Sequence, residues 1–167
     1  MKKMTKANLE AAFAGESQAY MKYSIFAEKA EREGFPETAR LFRAIAYAEK
    51  VHATNHFRVL GGINSTEENL TAAAGGENYE VEEMYPAFDA VANLQEEKAA
   101  AKSIHYAVEA EKIHEGMYNS AKASVSEKKD IPEAKVHVCP VCGHTIIGDA
   151  PDECPVCGLK KDKYKEF

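Results

Sequence analysis

The pentapeptide AEKVH occupies residues 48–52, and AEKIH occupies residues 110–114, 62 positions later. Each contains a Glu-x-x-His spacing, which puts a carboxylate and an imidazole on one helical face, because residues three apart are neighbours on an α-helix. Two further glutamates, Glu16 and Glu77, each follow a glycine in Gly-Glu pairs at 15–16 and 76–77. Glu16 to Glu49 spans 33 residues and Glu77 to Glu111 spans 34. The chain reads as one helical hairpin written twice, each copy carrying one Glu and one Glu-x-x-His.

The rest of the first 126 residues supports that reading. The region is rich in Ala, Glu, Lys and Leu and has one interior proline, Pro86, besides the turn proline Pro36. Thr5 is placed to cap a first helix that ends near Glu33, with Gly34 to terminate it. Phe35-Pro36 opens a second helix, and Gly61-Gly62 closes it. Ser65 and Glu68 have capping-box spacing and start a third helix, expected to run through Gly75-Gly76 and kink at Pro86. A turn near Asn93–Gln95 leads to a fourth helix that fades by Ser126. Each helix shows an inward stripe at steps of three and four. The stripes read Leu9, Phe13, Glu16, Tyr20, Tyr23, Ala27; Phe42, Ile45, Glu49, His52, His56, Val59; Leu70, Ala73, Glu77, Glu80, Met84, Phe88, Val91; and Ile104, Ala107, Glu111, His114, Tyr118, Ala121. All four are apolar at the ends and ionisable in the middle.

A lone Glu-x-x-His is common and usually a surface accident. Two copies with matching glutamate partners are not. Glu16, Glu49, His52, Glu77, Glu111 and His114 form the pattern that holds two iron or manganese ions in a four-helix bundle. Carboxylates can bridge two hard cations, and one imidazole per metal leaves open positions. No Lys or Arg lies on the stripes, so without cations the buried carboxylates would each cost several kcal/mol, by a rough estimate. Glu80 lies one turn beyond Glu77 on the same face and is a candidate seventh ligand; otherwise it is an acid behind the ligands or a solvent-facing residue of the acidic run GENYEVEE. Glu82 and Glu83 lean outward as solvated charges. Tyr20 and Tyr23 are placed either to donate hydrogen bonds to ligating carboxylates or to serve as core aromatics. His56 and His105 read as structural or exposed.

The segment 124–135 is polar and reads as helix end plus linker. Beyond it, Cys139-Pro-Val-Cys142-Gly and Cys154-Pro-Val-Cys157-Gly are two knuckles with 11 residues between them. This tail is too short for a useful hydrophobic core and needs a staple. Four thiolates at that spacing make a tetrahedral metal site, either a structural zinc or a one-electron iron centre. Iron is favoured by its company, since a dimetal carboxylate site that turns over needs an electron source. A formal net charge of −6 and the absence of a basic run argue against nucleic-acid binding. No segment is apolar enough for a membrane span, and MKKMTKANLE has no apolar region after its lysines to make a signal peptide. The expected compartment is therefore cytoplasmic, where clustered cysteines favour metal over disulfides.

The whole chain resembles the rubrerythrin family, from AFAGESQAY through AEKVH, GGENYEVEEMYP and AEKIH to both CPVCG knuckles. The resemblance implies a mainly α, ferritin-like four-helix bundle over residues 1–134 and a rubredoxin-like domain over residues 135–167. It implies diiron ligands Glu16, Glu49, His52, Glu77, Glu80, Glu111 and His114, with Glu80 and His52 exchanging on one iron as it is reduced. It implies Cys139, Cys142, Cys154 and Cys157 around a single iron, with zinc as the alternative metal. The implied activity is that of an oxidoreductase, a non-haem peroxidase reducing hydrogen peroxide to water in oxidative-stress defence. Its electrons would come from a rubredoxin- or reductase-type donor protein through the Fe(Cys)4 centre. The span between knuckles is shorter than in free-standing rubredoxins. Rival readings are a ferroxidase or iron-handling protein, and a non-catalytic scaffold with a zinc ribbon. A homodimer or larger assembly is implied, and GGINSTEENLTAAAGG is placed to act as a hinge for exchange between chains. Since the tail follows the end of the fourth helix, it is expected to lie well away from its own diiron centre. Electrons are then expected to cross between chains of a head-to-tail dimer.

Overall fold

A computed structural model describes all 167 residues. The chain divides into two units, Met1–Asn64 and Ser65–Phe167.

The first unit is an antiparallel hairpin of α1 (Lys3–Arg32) and α2 (Pro36–Val59). α1 begins at Lys3 after Lys2, so Thr5 lies inside the helix and is not its cap. The turn is written in local chemistry. Gly34 takes φ +82°, the left-handed conformation that favours glycine, while the amides of Gly34 and Phe35 close back on the carbonyls of Glu31 and Ala30. Pro36 then occupies the first turn of α2, where its missing N–H has no cost. The buried residues are Ala27, Ala30, Ala39, Ala46 and Ala53. Small side chains let the two helices approach closely along this seam. The larger apolar residues flank it: Phe13 stacks on Phe57 at 4.8 Å, and Tyr23, Phe26 and Phe42 form a second aromatic cluster. Ile45 and Val59, expected to face inward, are exposed, because alanines take the seam itself.

The second unit holds the other helices and the tail. Ser65 and Glu68 make the expected capping box at the start of α3 (Thr66–Tyr79). At Glu80–Met84 the helix widens into a π turn before continuing as α4 (Tyr85–Leu94). The irregularity expected at Pro86 is thus located upstream of it. Proline removes the amide that would bond the Glu82 carbonyl and crowds that carbonyl. The helix answers with a wider bond from the Tyr85 N–H to the Glu80 carbonyl. α5 (Lys98–Ser126) runs back antiparallel; Ala74 and Ala92 are buried on the helices before it and Ala110 on α5 itself. Phe88, Val91 and Tyr118 are exposed, again outside an alanine seam.

α5 ends in a reversal. Lys128 takes φ +61°, and the amides of Lys128 and Lys129 bond to the carbonyls of Val125 and Ser124. The tail is a three-stranded antiparallel sheet in the order β2-β1-β3, from β1 (Val136–Val138), β2 (Thr145–Ile147) and β3 (Lys165–Glu166). Its core is the cysteine cluster, against which Tyr106 of α5, Leu159 and Tyr164 pack.

Candidate metal centres

Three groups of side chains converge. On the first hairpin, Glu16, Glu49 and His52 bring ligand atoms within 4.8 Å of one another. His52 Nδ1 lies 2.9 Å from Glu49 Oε2, and its side chain is 54% exposed. On the second, Glu77, Glu111 and His114 do the same. His114 Nδ1 lies 2.6 Å from Glu111 Oε2, and its side chain is only 27% exposed. Helical i, i+3 geometry sets each Glu–His pair, and the antiparallel partner helix supplies the second carboxylate. In the tail, Cys139 and Cys157 sulfurs lie 3.5 Å apart and Cys142 and Cys154 sulfurs 3.4 Å apart, all four being unbridged thiols.

The electrostatics show groups held together against their own repulsion. Burial, a hydrogen bond shared with Glu111 and the charges of Glu111 and Glu80 raise Glu77 from 4.5 to about 7. Burial and the charge of Glu111 raise Glu80 as well. In the tail, burial raises Cys142. Burial also pushes Cys154 up, but a Tyr164 hydrogen bond and the amides of Cys157 and Val156 outweigh it, leaving that thiol at about 6. Those donors favour a thiolate, the form that binds metal.

A family model described as Rubrerythrin matches residues 7–122, and one for the rubrerythrin rubredoxin-like domain matches residues 137–165. Rubrerythrin-2 of Clostridium acetobutylicum is 44% identical, with 98% of this chain and 97% of that protein covered. The chain belongs to the rubrerythrin family. Nigerythrin of Nitratidesulfovibrio vulgaris is 34% identical over 98% of this chain and 86% of its own. A solved structure of nigerythrin in its fully reduced, all-ferrous state matches with a TM-score of 0.59 at 32% identity, over 98% of this chain and 86% of that one.

The fold class is therefore the mainly α, ferritin-like one with a C-terminal rubredoxin-like domain. The cofactors of such a rubrerythrin are irons in a diiron carboxylate site and in a four-cysteine site. The donor sets fit them. Four sulfurs at about 2.3 Å from one tetrahedral ion lie about 3.7 Å apart, close to the two sulfur pairs here. Two triads, each of two carboxylates and one imidazole, suit iron in open coordination.

Glu80 stands at the first residue of the π turn, half-buried, its charge felt by Glu77. It is not part of the compact triad. Tyr23 belongs to the aromatic cluster with Phe26 and Phe42, and Tyr20 lines a groove with Ser24 and Arg43. His105 is exposed beside the Tyr106 ring, and His56 is half-buried.

Two residues near the acids escaped sequence reasoning. Tyr85 is raised by burial and then by the charges of Glu80, Glu111 and Glu77. The i→i+5 bond of the π turn links it to Glu80; only its place directly before Pro86 could have drawn notice. Thr145 of β2 lies with its Oγ1 2.8 Å from His114 Nε2. That contact overturns the expectation that the tail lies far from the histidine of its own chain. The turn at Lys128 reverses the backbone, so the tail returns alongside α5. No helix is long and apolar enough to cross a membrane.

Proposed function

We propose that this rubrerythrin is a cytoplasmic peroxidase: hydrogen peroxide accepts two electrons and two protons and leaves as two waters. The observation that carries the reading is one chain holding two carboxylate–histidine triads and a four-thiol cluster. In this reading Glu16, Glu49, His52, Glu77, Glu80, Glu111 and His114 hold the iron pair, and Cys139, Cys142, Cys154 and Cys157 hold the single iron. The domains divide at residues 134 and 135. Bound iron supplies two electrons together at the acids and one at a time at the thiols. The chain's residues do the rest. Glu49 and Glu111 stand beside their histidines as co-ligands, and the acids neutralise cationic charge in a half-buried site. Glu80, on a turn whose backbone bonding is already irregular, is free to change its reach. His52 is the more exposed histidine, which supports an exchange at that position. A donor protein of rubredoxin or reductase type refills the tail. Apolar side chains exposed on the helices, among them Ile25, Phe26, Ile45, Phe88 and Val91, support a homodimer or larger assembly.

The test is direct. Iron-loaded protein should be red, bleach with dithionite and regain its colour as peroxide is consumed, with two water molecules formed per peroxide. Iron-loaded protein that consumes no peroxide beyond its zinc-loaded control sinks the reading. Iron oxidation and accumulation without thiolate turnover would instead support the iron-handling role.

A further inference from the structure

We propose that Thr145 is a positioning residue for His114, through which the docked tail decides which imidazole nitrogen faces the acids. This rests on the metal-site reading above. The Thr145 hydroxyl donates its proton to the Gly143 carbonyl at 2.8 Å. A hydroxyl has one proton to give, so towards His114 Nε2, also 2.8 Å away, Thr145 Oγ1 can only accept. Nε2 therefore carries the proton. In the neutral ring Nδ1 is left with its lone pair, and Nδ1 is the atom beside Glu111. Thr145 is itself 9% exposed, so water competes poorly for this bond.

The bond belongs to a docking stripe. Tyr106, Ala110 and His114 recur at steps of four along α5 and share one face. Tyr106 packs on the cysteine cluster. Ala110, 3% exposed, meets the knuckle glycine Gly143, where an added Cβ would come within 3.4 Å of the alanine Cβ. Gly143, whose carbonyl takes the Thr145 proton, directly follows Cys142 in the chain. A short path thus joins a thiol ligand to an imidazole of the same chain: Cys142, the Gly143 carbonyl, the Thr145 hydroxyl, His114 Nε2. His52 has no counterpart. Its Nδ1 meets Glu49, and its side chain is 54% exposed. The two halves of the repeat are therefore unequal: His114 bonds to the tail and is 27% exposed, whereas His52 is 54% exposed.

Thr145→Val keeps the shape and removes the acceptor; Thr145→Ser keeps the acceptor. Ferrous-iron affinity of the carboxylate site is measured by competition with ferrozine, with no peroxide present, alongside the red absorption of the tail. Thr145→Val should retain the red tail and lose about tenfold in affinity, the size of effect typical when a ligand histidine loses its hydrogen-bond partner. Thr145→Ser should restore wild-type affinity. Ala110→Leu, which lifts the tail from α5 without touching Thr145, should reproduce the loss. Wild-type affinity in Thr145→Val overturns the proposal, as does a Ser variant as weak as the Val variant. Because affinity is read without peroxide, a protein that fails as a peroxidase yet shows this pattern loses the function and keeps the inference.

Discussion

Glu77 and Glu80 lie one helical turn apart and are pushed up together, Glu77 to about 7. The sign of the consequence follows from linkage. A carboxyl raised in the folded state favours folding only while protonated. Its contribution is whole below the ordinary value of 4.5, is lost as pH rises, and is gone above about 7. Metal-stripped protein should therefore melt at higher temperature near pH 5 than near pH 7.5, in approximate terms, and Glu77→Gln should flatten that difference in a thermal scan. Equal slopes for wild type and Glu77→Gln would mean that the acids are not crowded. Glu80 makes a separate case, because it stands outside the triad of Glu77, Glu111 and His114. Glu80→Ala should leave the protein folded with its full iron content, while peroxide turnover with excess reduced donor falls by about tenfold. Unchanged turnover would make Glu80 a bystander. The glutamates and histidines were legible from sequence because i, i+3 spacing is enforced by the helix itself. Thr145 and Tyr85 were not, because their contacts depend on how distant or irregular backbone returns to the site.

Among the elements, helix ends were legible where chemistry is local. Gly34, Pro36, the pair Ser65 and Glu68, and Gly61 each act within a few residues of their own position. The start of α1 was not, since Thr5 is a good cap that the helix runs past. The inward stripes were half legible. Period alone finds the face, but not that alanines would take the seam and leave Ile45, Phe88 and Val91 outside it. The kink expected at Pro86 was misplaced because the effect of the proline is felt several residues upstream, as a π turn. A π turn holds one residue more than the α-helical turn it replaces, so deleting exposed Glu82 should return 80–84 to α-helical bonding. Each residue turns an α-helix by about 100°, so the deletion rotates Glu77 and Glu80 relative to α4. Far-UV circular dichroism should be retained, the tail should stay red, and iron at the carboxylate site should be lost. Full iron content in the deletion variant would show that the π turn does not set the register of the acids.

At the scale of the molecule, the position of the tail hangs on a few backbone bonds. Counting residues beyond His114 measures contour, not distance, and the left-handed Lys128 turns that contour back along α5. For an L-residue this conformation costs about 1–2 kcal/mol, so the packing of Tyr106 and the seating of Gly143 on Ala110 must outweigh it. Two substitutions separate the turn from the tail's own fold. Lys128→Gly relieves the strain and should leave tail docking unchanged. Lys128→Pro fixes φ near about −65°, which forbids the turn, and also removes the amide that bonds the Val125 carbonyl. The cysteine core lies wholly within residues 139–157, so the proline variant should keep its red colour and its helicity. After reduction with dithionite, its colour should return on peroxide addition at least about tenfold more slowly than in wild type or Lys128→Gly, on the scale of a lost partner to a ligand. Equal recovery in all three, with full iron at both sites, would show that electrons reach the acids without this docking.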